Sequence, residues 1–140
     1  MWNCVSGNPP ENAVKLGWQN DGAGELWSAV ANTQWGTIPG KANRQTCWYP
    51  HNRKEHTTSD FSFVTASNYV RQVENNGTGP PLNAAKLGYE KDGAAQTYCV
   101  LANTVHGMIP GKANYDTCWY PYGGNEHMTK HFSWLTQIHK

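Results

Sequence analysis

Two side chains of opposite charge stand beside glycines in the first half of the chain. Asp21 precedes Gly22, and Lys41 follows the Pro39-Gly40 dipeptide. A glycine lets a ligand approach the backbone closely because it has no side chain. A carboxylate can accept hydrogen bonds from two vicinal hydroxyls while an ammonium donates to others, and such charge-assisted bonds are the stronger kind. The pair suits a neutral polyol such as a sugar; a turn-capping Asp21 and a solvated Lys41 are the structural alternative.

The same residues recur in the second half of the chain. A shift of 71 positions superposes residues 12–65 on 83–136 without a gap, and 29 of the 54 pairs are identical. Such a match indicates two copies of one module. We predict two tandem homologous modules, residues 1–70 and 71–140, with a pseudo-twofold relation. The second-copy counterparts of the aspartate, its glycine and the lysine are Asp92, Gly93 and Lys112.

A second carboxylate also recurs, because Glu55 aligns with Glu126 and each precedes a histidine. Two carboxylates per copy, Asp21 and Glu55 in the first, could serve a small glycoside hydrolase as acid and base. A chain of this length leaves little depth for a substrate cleft, however, and no motif marks a carboxyl group with a raised pKa. We therefore predict that the protein is not an enzyme.

Metal ligands and nucleophiles are not repeated in a useful pattern. Cys47, His51 and His56 are residue types that bind zinc, but the second copy has Tyr122 in place of His51, so one ligand is lost. The sequence has no calcium loop of the EF-hand kind and no Gly-x-Ser-x-Gly nucleophile elbow. We predict neither a metal nor a cofactor.

The elements that must position these residues are strands. Residues 26–31 and 97–102 alternate apolar and polar side chains between clusters of Gly, Pro and Asn, which is typical of strands. Asp-Gly pairs at 21 and 92 fit tight hairpin turns. No stretch keeps a helical period. We predict an all-β fold made of two antiparallel modules.

Aromatic residues supply the apolar surface that the few aliphatic residues cannot. The chain has 7 Trp, 7 Tyr and 3 Phe in 140 residues. Trp48-Tyr49 and Trp119-Tyr120 recur in an apolar run, so we place them in the core, with one ring of each pair reaching a site wall. Trp18 and Trp35 are candidates for stacking on a sugar.

Charge and hydropathy exclude several classes of partner. A net charge of +1 with 15% charged residues provides no basic stripe, so nucleic-acid binding is not expected. The sequence has no apolar run of the length that spans a bilayer and no signal peptide, so we expect no membrane insertion and a cytoplasmic or non-classically secreted protein. The four cysteines are interpreted as free thiols, mostly buried, although three full pairings exist in an oxidising compartment.

One recurring pattern resembles a known family. Gly-x-Ile-Pro-Gly-Lys-Ala, then Cys-Trp-Tyr-Pro, then Gly-Gly-x-Glu-His is similar to the DM9 repeat and covers nearly the whole chain twice. The tandem pair resembles the mannose-binding DM9 lectins of bivalve molluscs, the oyster type in particular. In the first copy, residues 51–54 replace the Gly-Gly turn, which leaves the shape of that loop open.

The resemblance implies calcium-independent binding of mannose and mannose-rich glycans on microbial surfaces, in innate immunity, with an Asp and a Lys of each repeat contacting the sugar. The glutamates are expected to hold the lysines. The predicted carbohydrate-binding residues are Asp21, Gly22, Lys41, Glu55, Asp92, Gly93, Lys112 and Glu126.

Two further expectations remain open to test. A protein-binding or structural module without a sugar site is the alternative function, in which the recurring charges form surface ion pairs. A homodimer is also possible, because Trp2–Val5 and Phe132–Ile138 read as strands near the two ends of the chain that could pair with a second copy.

Overall fold

The fold is all-β, as the sequence predicts. The computed structural model describes residues 1–93 and 95–138, and within them no helix is long and apolar enough to cross a membrane. All pairings between the strands are antiparallel. The strands in chain order are β1 (Trp2–Val5), β2 (Gly17–Gln19), β3 (Gly24–Thr33), β4 (Gly36–Ala42), β5 (Cys47–His51), β6 (Lys54–Thr58), β7 (Phe61–Ala66), β8 (Tyr69–Glu74), β9 (Gly88–Glu90), β10 (Ala95–Thr104), β11 (Gly107–Ala113), β12 (Cys118–Tyr122), β13 (Asn125–Thr129) and β14 (Phe132–Ile138).

The strand order reads the same from both ends. It runs β1-β7-β3-β2-β11-β12-β13-β6-β5-β4-β9-β10-β14-β8, with further pairings β3–β4 and β10–β11. Counted from one end, each strand of the first copy has the same position that its second-copy counterpart has when counted from the other end. The centre of this order is the β6–β13 pair, where Lys54 lies opposite Asn125, its own counterpart. The strand order is therefore palindromic, while the pseudo-twofold relation of two modules stays a prediction.

The two copies are interlocked rather than side by side. First-copy and second-copy strands pair at three places, β2 with β11, β6 with β13, and β4 with β9. The boundary predicted at residues 70 and 71 falls inside β8, which pairs over its whole length with β14. Backbone hydrogen bonds therefore join the copies along the middle of the structure.

The sheet edges differ from one expectation. β1 is an edge strand, as the dimer hypothesis requires, but Phe132–Ile138 is not: it forms β14 and lies between β10 and β8. The second edge is β8, because the chain after β7 crosses to the other end of the sheet. The sequence of residues 132–138 predicts a strand, but it does not indicate that β8 will pair with this strand and take its place at the edge.

The long strands β3 and β10 divide their side chains between two cores. Ala29 and Ala31 are fully buried in a cluster of first-copy residues, whereas Val30 faces a cluster built from both copies. In β10, Leu101 enters that shared cluster and Val100 enters a second-copy cluster. Because successive side chains of a strand point to opposite faces, one strand serves both cores. The shared cluster ties the packing of each copy to the other.

All four cysteines are free thiols, in agreement with the sequence-based interpretation. Cys47, Cys99 and Cys118 are buried and Cys4 is half-buried. Burial raises the pKa of each of these thiols because a thiolate is poorly solvated in an apolar interior. They are packing residues and not activated nucleophiles.

Two glycines permit the close approach of the copies. Gly36 pairs with Glu90 and has a φ of 127°, and Gly107 pairs with Gln19 and has a φ of 131°. A Cβ atom at Gly36 would lie 2.0 Å from the carbonyl oxygen of Tyr89. The equivalent atom at Gly107 would lie 2.2 Å from the Trp18 oxygen. Both positions therefore require glycine for space and for conformation.

We predict that Gly36→Ala lowers the free energy of unfolding by more than about 2 kcal/mol, because the backbone of β9 must move as well as the φ angle. The control is Gly77→Ala, where φ is 87° but no atom lies within 4 Å of the added Cβ. There only the conformational cost of about 1 kcal/mol applies. Urea unfolding measures both, and equal losses would contradict the close-approach argument.

Candidate functional site

Two cavities lie where the interlocked copies meet. Site 1, about 400 Å³, is lined by Asp21, Lys41, Trp48 and Glu55 among first-copy residues, and by Tyr122 and Gly123 of the second copy. Site 2, about 290 Å³, is lined by Asp92, Lys112, Trp119 and Glu126, and by His51 and Asn52 of the first copy. The two linings correspond under the 71-residue shift. Each cavity is thus completed by the opposite copy.

Six of the eight predicted site residues line these cavities, three in each. Gly22 and Gly93 do not appear among the described lining residues; they lie in exposed turns, and Gly22 has a φ of 96°. The glycine at 22 therefore shapes the hairpin that presents Asp21. The structure therefore brings the charged residues together in the cavities, whereas the two glycines lie in the turns outside them.

Lys41 is a buried cation in the wall of site 1. It lies on β4 and is only 5% exposed, yet its Nζ is 3.4 Å from Glu55 Oε2. The same Nζ donates a hydrogen bond to Gln19 Oε1. Burial lowers the pKa of Lys41 because it disfavours the charged form, and the Glu55 carboxylate opposes this effect. The carboxylate is what keeps a buried ammonium in place.

Glu55 is in turn held by the second copy. Its Oε1 accepts a hydrogen bond of 3.0 Å from the Gly124 N–H, and Glu126 Oε1 accepts one of 3.0 Å from the Arg53 N–H. The backbone N–H of Glu55 also donates a hydrogen bond to the Gly124 carbonyl oxygen at 3.1 Å. The expectation that the glutamates position the lysines fits this geometry. The turns that hold them come from the opposite copy.

These two turns have the same shape despite different residues. Asn52 and Arg53 have φ values of 53° and 69°, and Gly123 and Gly124 have values of 62° and 87°. Two consecutive left-handed residues make the two-residue hairpin turn whose twist suits antiparallel strands. The first-copy loop, whose shape the sequence did not predict, therefore has the same backbone geometry as the Gly-Gly turn although it contains no glycine.

Asp21 both caps its turn and faces site 1. Its Oδ1 accepts a hydrogen bond of 3.1 Å from the Ala23 N–H, and its Oδ2 accepts one of 3.0 Å from Gln19 Nε2. These bonds lower the pKa of Asp21, the backbone bond most, with a further small effect of Lys41. The carboxylate therefore stays ionised well into the acidic range and remains exposed at the cavity rim.

Site 2 repeats this plan with two changes of chemistry. Glu90 replaces Gln19, and its Oε1 accepts a hydrogen bond from Lys112 Nζ. Glu126 Oε2 lies 3.6 Å from the same Nζ. His51 replaces Tyr122, and its Nε2 is 3.3 Å from Asp92 Oδ2. Site 2 therefore carries one more carboxylate than site 1 and an imidazole instead of a phenol.

The aromatic walls are not the ones expected for stacking. Trp18 and Trp35 do not appear among the described lining residues; Trp35 stacks on His51, with ring centroids 4.4 Å apart. Site 1 instead presents Trp48 and Tyr122, whose ring lies 5.3 Å from Lys41 Nζ. The tryptophans of the Trp-Tyr pairs are thus the rings that reach a site wall, as the sequence analysis allows.

Sequence reasoning missed several wall residues. The recurrence of Asn43 as Asn114 was a usable signal, since both line the cavities. Gln19 gave no such signal, because its second-copy counterpart is a different residue, Glu90; it ends β2 just before the turn that carries Asp21. Tyr122 and His51 could not be assigned to these cavities from the sequence, because each lines the cavity of the other copy; His51 was considered only as a ligand together with Cys47 and His56. The zinc-like set of Cys47, His51 and His56 is not brought together; His56 Nε2 instead lies 3.0 Å from the His51 carbonyl oxygen.

We predict that Glu55→Ala lowers the free energy of unfolding by about 3–5 kcal/mol, because it leaves the buried Lys41 ammonium without a carboxylate. The double variant Lys41→Met with Glu55→Leu should recover much of this loss, since no buried charge remains. Chemical denaturation measures each variant.

The matched control for this prediction is Glu25→Ala. Glu25 pairs with Lys15 at 3.5 Å in an exposed position, where an ion pair contributes under about 1 kcal/mol. A loss from Glu55→Ala no larger than that of the control would show that the buried pair does not hold the site.

Comparison with known proteins now identifies the family. The DM9 repeat family matches residues 24–129. Among solved structures, the crystal structure of the nematode sperm cell motility protein MFP2B is similar, with a TM-score of 0.71 and 9% sequence identity; the match covers 100% of this chain and 47% of that chain. The chain thus spans about half the length of MFP2B, and the likeness concerns the fold alone.

No curated protein sequence matches, and neither match points to a catalytic family. Because the family match covers more than half of the chain, the protein belongs to the DM9 repeat family.

Proposed function

We propose that this protein is a calcium-independent lectin that binds mannose and mannose-containing glycans, with one sugar in each cavity. The observation that carries the proposal is the combination found in site 1: a buried lysine with its own carboxylate, an ionised aspartate at the rim, and a tryptophan wall. Membership of the DM9 repeat family is compatible with a carbohydrate-binding module. Innate recognition of microbial surfaces is the role we assign to it.

The polar groups of site 1 suit vicinal hydroxyls. An ammonium has three N–H donors; the described residues engage one with Gln19 and direct another at Glu55. A third is left for a sugar oxygen. The exposed Asp21 carboxylate accepts hydrogen bonds from two neighbouring hydroxyls, and these bonds are strengthened by its charge. The indole of Trp48 offers an apolar face for the C–H groups of the ring.

The size of the cavities favours a small ligand. Volumes of about 400 and 290 Å³ lie at the lower end of ligand sites, which span about 300–1,000 Å³. Each cavity therefore accommodates a terminal monosaccharide rather than a long oligosaccharide. A few hydrogen bonds with little apolar burial give affinities of about mM to tens of µM.

Two weak sites on one chain bind a clustered glycan surface more tightly than a single site does. Two sites per chain raise the avidity for a clustered glycan surface by about 10² or more when both engage together. We propose further that the chain can form a homodimer through β1, one of the two sheet edges, because an edge strand can pair with a strand of a second copy. Sedimentation at working concentration tests the dimer, and a monomeric mass would refute it.

Hydrolysis is a poorer explanation of the same cavity. Glu55 makes an ion pair with Lys41 and accepts a backbone hydrogen bond from Gly124. A carboxylate used in this way is not available as a general acid or base. Asp21 is kept ionised by its own hydrogen bonds and has no protonated partner carboxyl among its described contacts. We therefore propose binding without catalysis.

We predict that calorimetric titration with mannose gives about two sites per chain, unchanged by a chelator that removes calcium, with no response to galactose. Asp21→Asn and Asp92→Asn should each remove one site and the double variant both, because a neutral amide loses the charge-assisted bonds. The melting temperature should change little, since both side chains are exposed at the rim.

The control for these variants is Asp116→Asn. Asp116 is also exposed, and hydrogen bonds from Lys130 and Thr117 lower its pKa, but it lies outside both cavities. Its substitution should leave sugar binding intact. A large loss of stability with binding retained in the Asp21 and Asp92 variants would favour a structural role. Silence towards mannose in the unaltered protein would favour the protein-binding module.

A further inference from the structure

Site 2 differs from site 1 at the positions that could hold a cation. Where site 1 has Gln19 and Tyr122, site 2 has Glu90 and His51, and Asp92 matches Asp21. One ligand atom from each of His51, Glu90 and Asp92 can be chosen so that all three lie within 4.8 Å of one another. Among the described residues, this is the group of histidine, cysteine and carboxylate side chains that comes so close.

His51 is buried and incompletely partnered. Its side chain is 6% exposed, and its Nδ1 has no hydrogen-bond partner. The ring is fixed by the stack on Trp35 and lies between two carboxylates. Its Nδ1 is 3.8 Å from Glu90 Oε2, which is too long for a hydrogen bond. Buried polar atoms normally have partners, so an unpartnered nitrogen that faces the Glu90 carboxylate calls for an explanation.

The charges around His51 favour a cation. Site 2 holds three carboxylates and one ammonium: Lys112 pairs with Glu90 and Glu126, whereas Asp92 lies beside His51. Site 1 has two carboxylates, those of Asp21 and Glu55, around its single lysine. Lys112 bonds Oε1 of Glu90, which leaves Oε2 directed at the imidazole. The excess negative charge of site 2 therefore lies on the side of His51.

We propose that site 2 binds one divalent transition-metal ion, best matched by Zn²⁺, through His51, Glu90 and Asp92. Imidazole together with carboxylates suits zinc, whereas magnesium and calcium prefer oxygen ligands alone. Zinc bonds of about 2.0–2.1 Å in a tetrahedron place ligand atoms about 3.3 Å apart. The 3.8 Å between His51 Nδ1 and Glu90 Oε2 is close to that value. Asp92 Oδ2 lies 3.3 Å from the other ring nitrogen, Nε2, so its carboxylate must move to reach an ion bound at Nδ1.

The local structure allows the site to close on an ion. His51 ends β5 and Glu90 ends β9, and both strands pair with β4, so two ligands stand on one rigid support. Asp92 lies in the turn after β9, and its side chain is 53% exposed. We expect this exposed side chain to rotate so that its carboxylate supplies a third bond to an ion held by His51 Nδ1 and Glu90. A fourth position stays open to water or to another oxygen ligand.

This proposal shares Asp92 of site 2 with the sugar proposal, and it revises the sequence-based expectation of no metal. That expectation concerned Cys47, His51 and His56, which are not the group assembled here. Site 1 has Tyr122 and Gln19 where site 2 has His51 and Glu90, so mannose binding there should be indifferent to zinc. The test uses the metal alone, so a failure of either proposal is visible without the other.

The test is calorimetric titration of the full chain with ZnCl₂ in a buffer that does not bind metals. We expect one ion per chain and no comparable response to Mg²⁺ or Ca²⁺. The double variant His51→Tyr with Glu90→Gln gives site 2 the residues of site 1, which the same fold accepts at the equivalent positions. We expect it to weaken zinc binding by about 10-fold or more.

The reciprocal variant adds a site instead of removing one. Gln19→Glu with Tyr122→His gives site 1 the residues of site 2, and we expect two zinc ions per chain. Cys4→Ser controls for the partly exposed thiol and should leave one ion bound. Absence of zinc binding in the unaltered protein would overturn the proposal. Unchanged affinity in the His51→Tyr and Glu90→Gln variant would do the same.

Discussion

A buried ammonium group must have a carboxylate beside it, and this requirement organises the structure around both cavities. Lys41 and Lys112 are each 5% exposed, and each faces a glutamate at 3.4 or 3.6 Å. Removal of such a charge from water is costly unless it is paired. The glutamates are fixed by backbone N–H groups of the opposite copy's turn. The pairing of each buried lysine therefore depends on the contact between the two copies, because that contact holds the glutamate in place.

The interlocked topology is what makes that arrangement possible. β2 and β9 each pair with a strand of their own copy and with one of the other copy, and they carry Gln19 and Glu90 into the cavities. The shared apolar cluster that includes Val30 and Leu101 fixes how the copies lie against each other. A disturbance at Gly36 or Gly107 consequently reaches a cavity as well as the sheet. The stability of the fold and the shape of the cavities depend on the same contacts.

The sequence pointed to the residues of the candidate site that lie within one copy. Asp21, Lys41 and Glu55 stand out because they recur, and the structure places them around one cavity, while their role in binding stays a prediction. The all-β fold followed from the alternation of side chains and the turn residues. Tyr122 and His51 could not be found, because which copy supplies a wall depends on pairing between distant strands. Trp35 was misplaced for a related reason, since its ring is occupied by His51. The edge role expected for Phe132–Ile138 failed because β8 crosses to cover it.

The palindromic strand order has a consequence for how such a protein diversifies. Two identical single-copy chains related by a symmetry axis present every residue twice, so their two cavities must be the same. Joining the copies in one polypeptide removes that restriction. A substitution at residue 51 changes site 2 and leaves site 1 untouched, although it is made in the first copy. The covalent link thus allows one ancestral pocket to become two pockets with separate chemistries on a common scaffold.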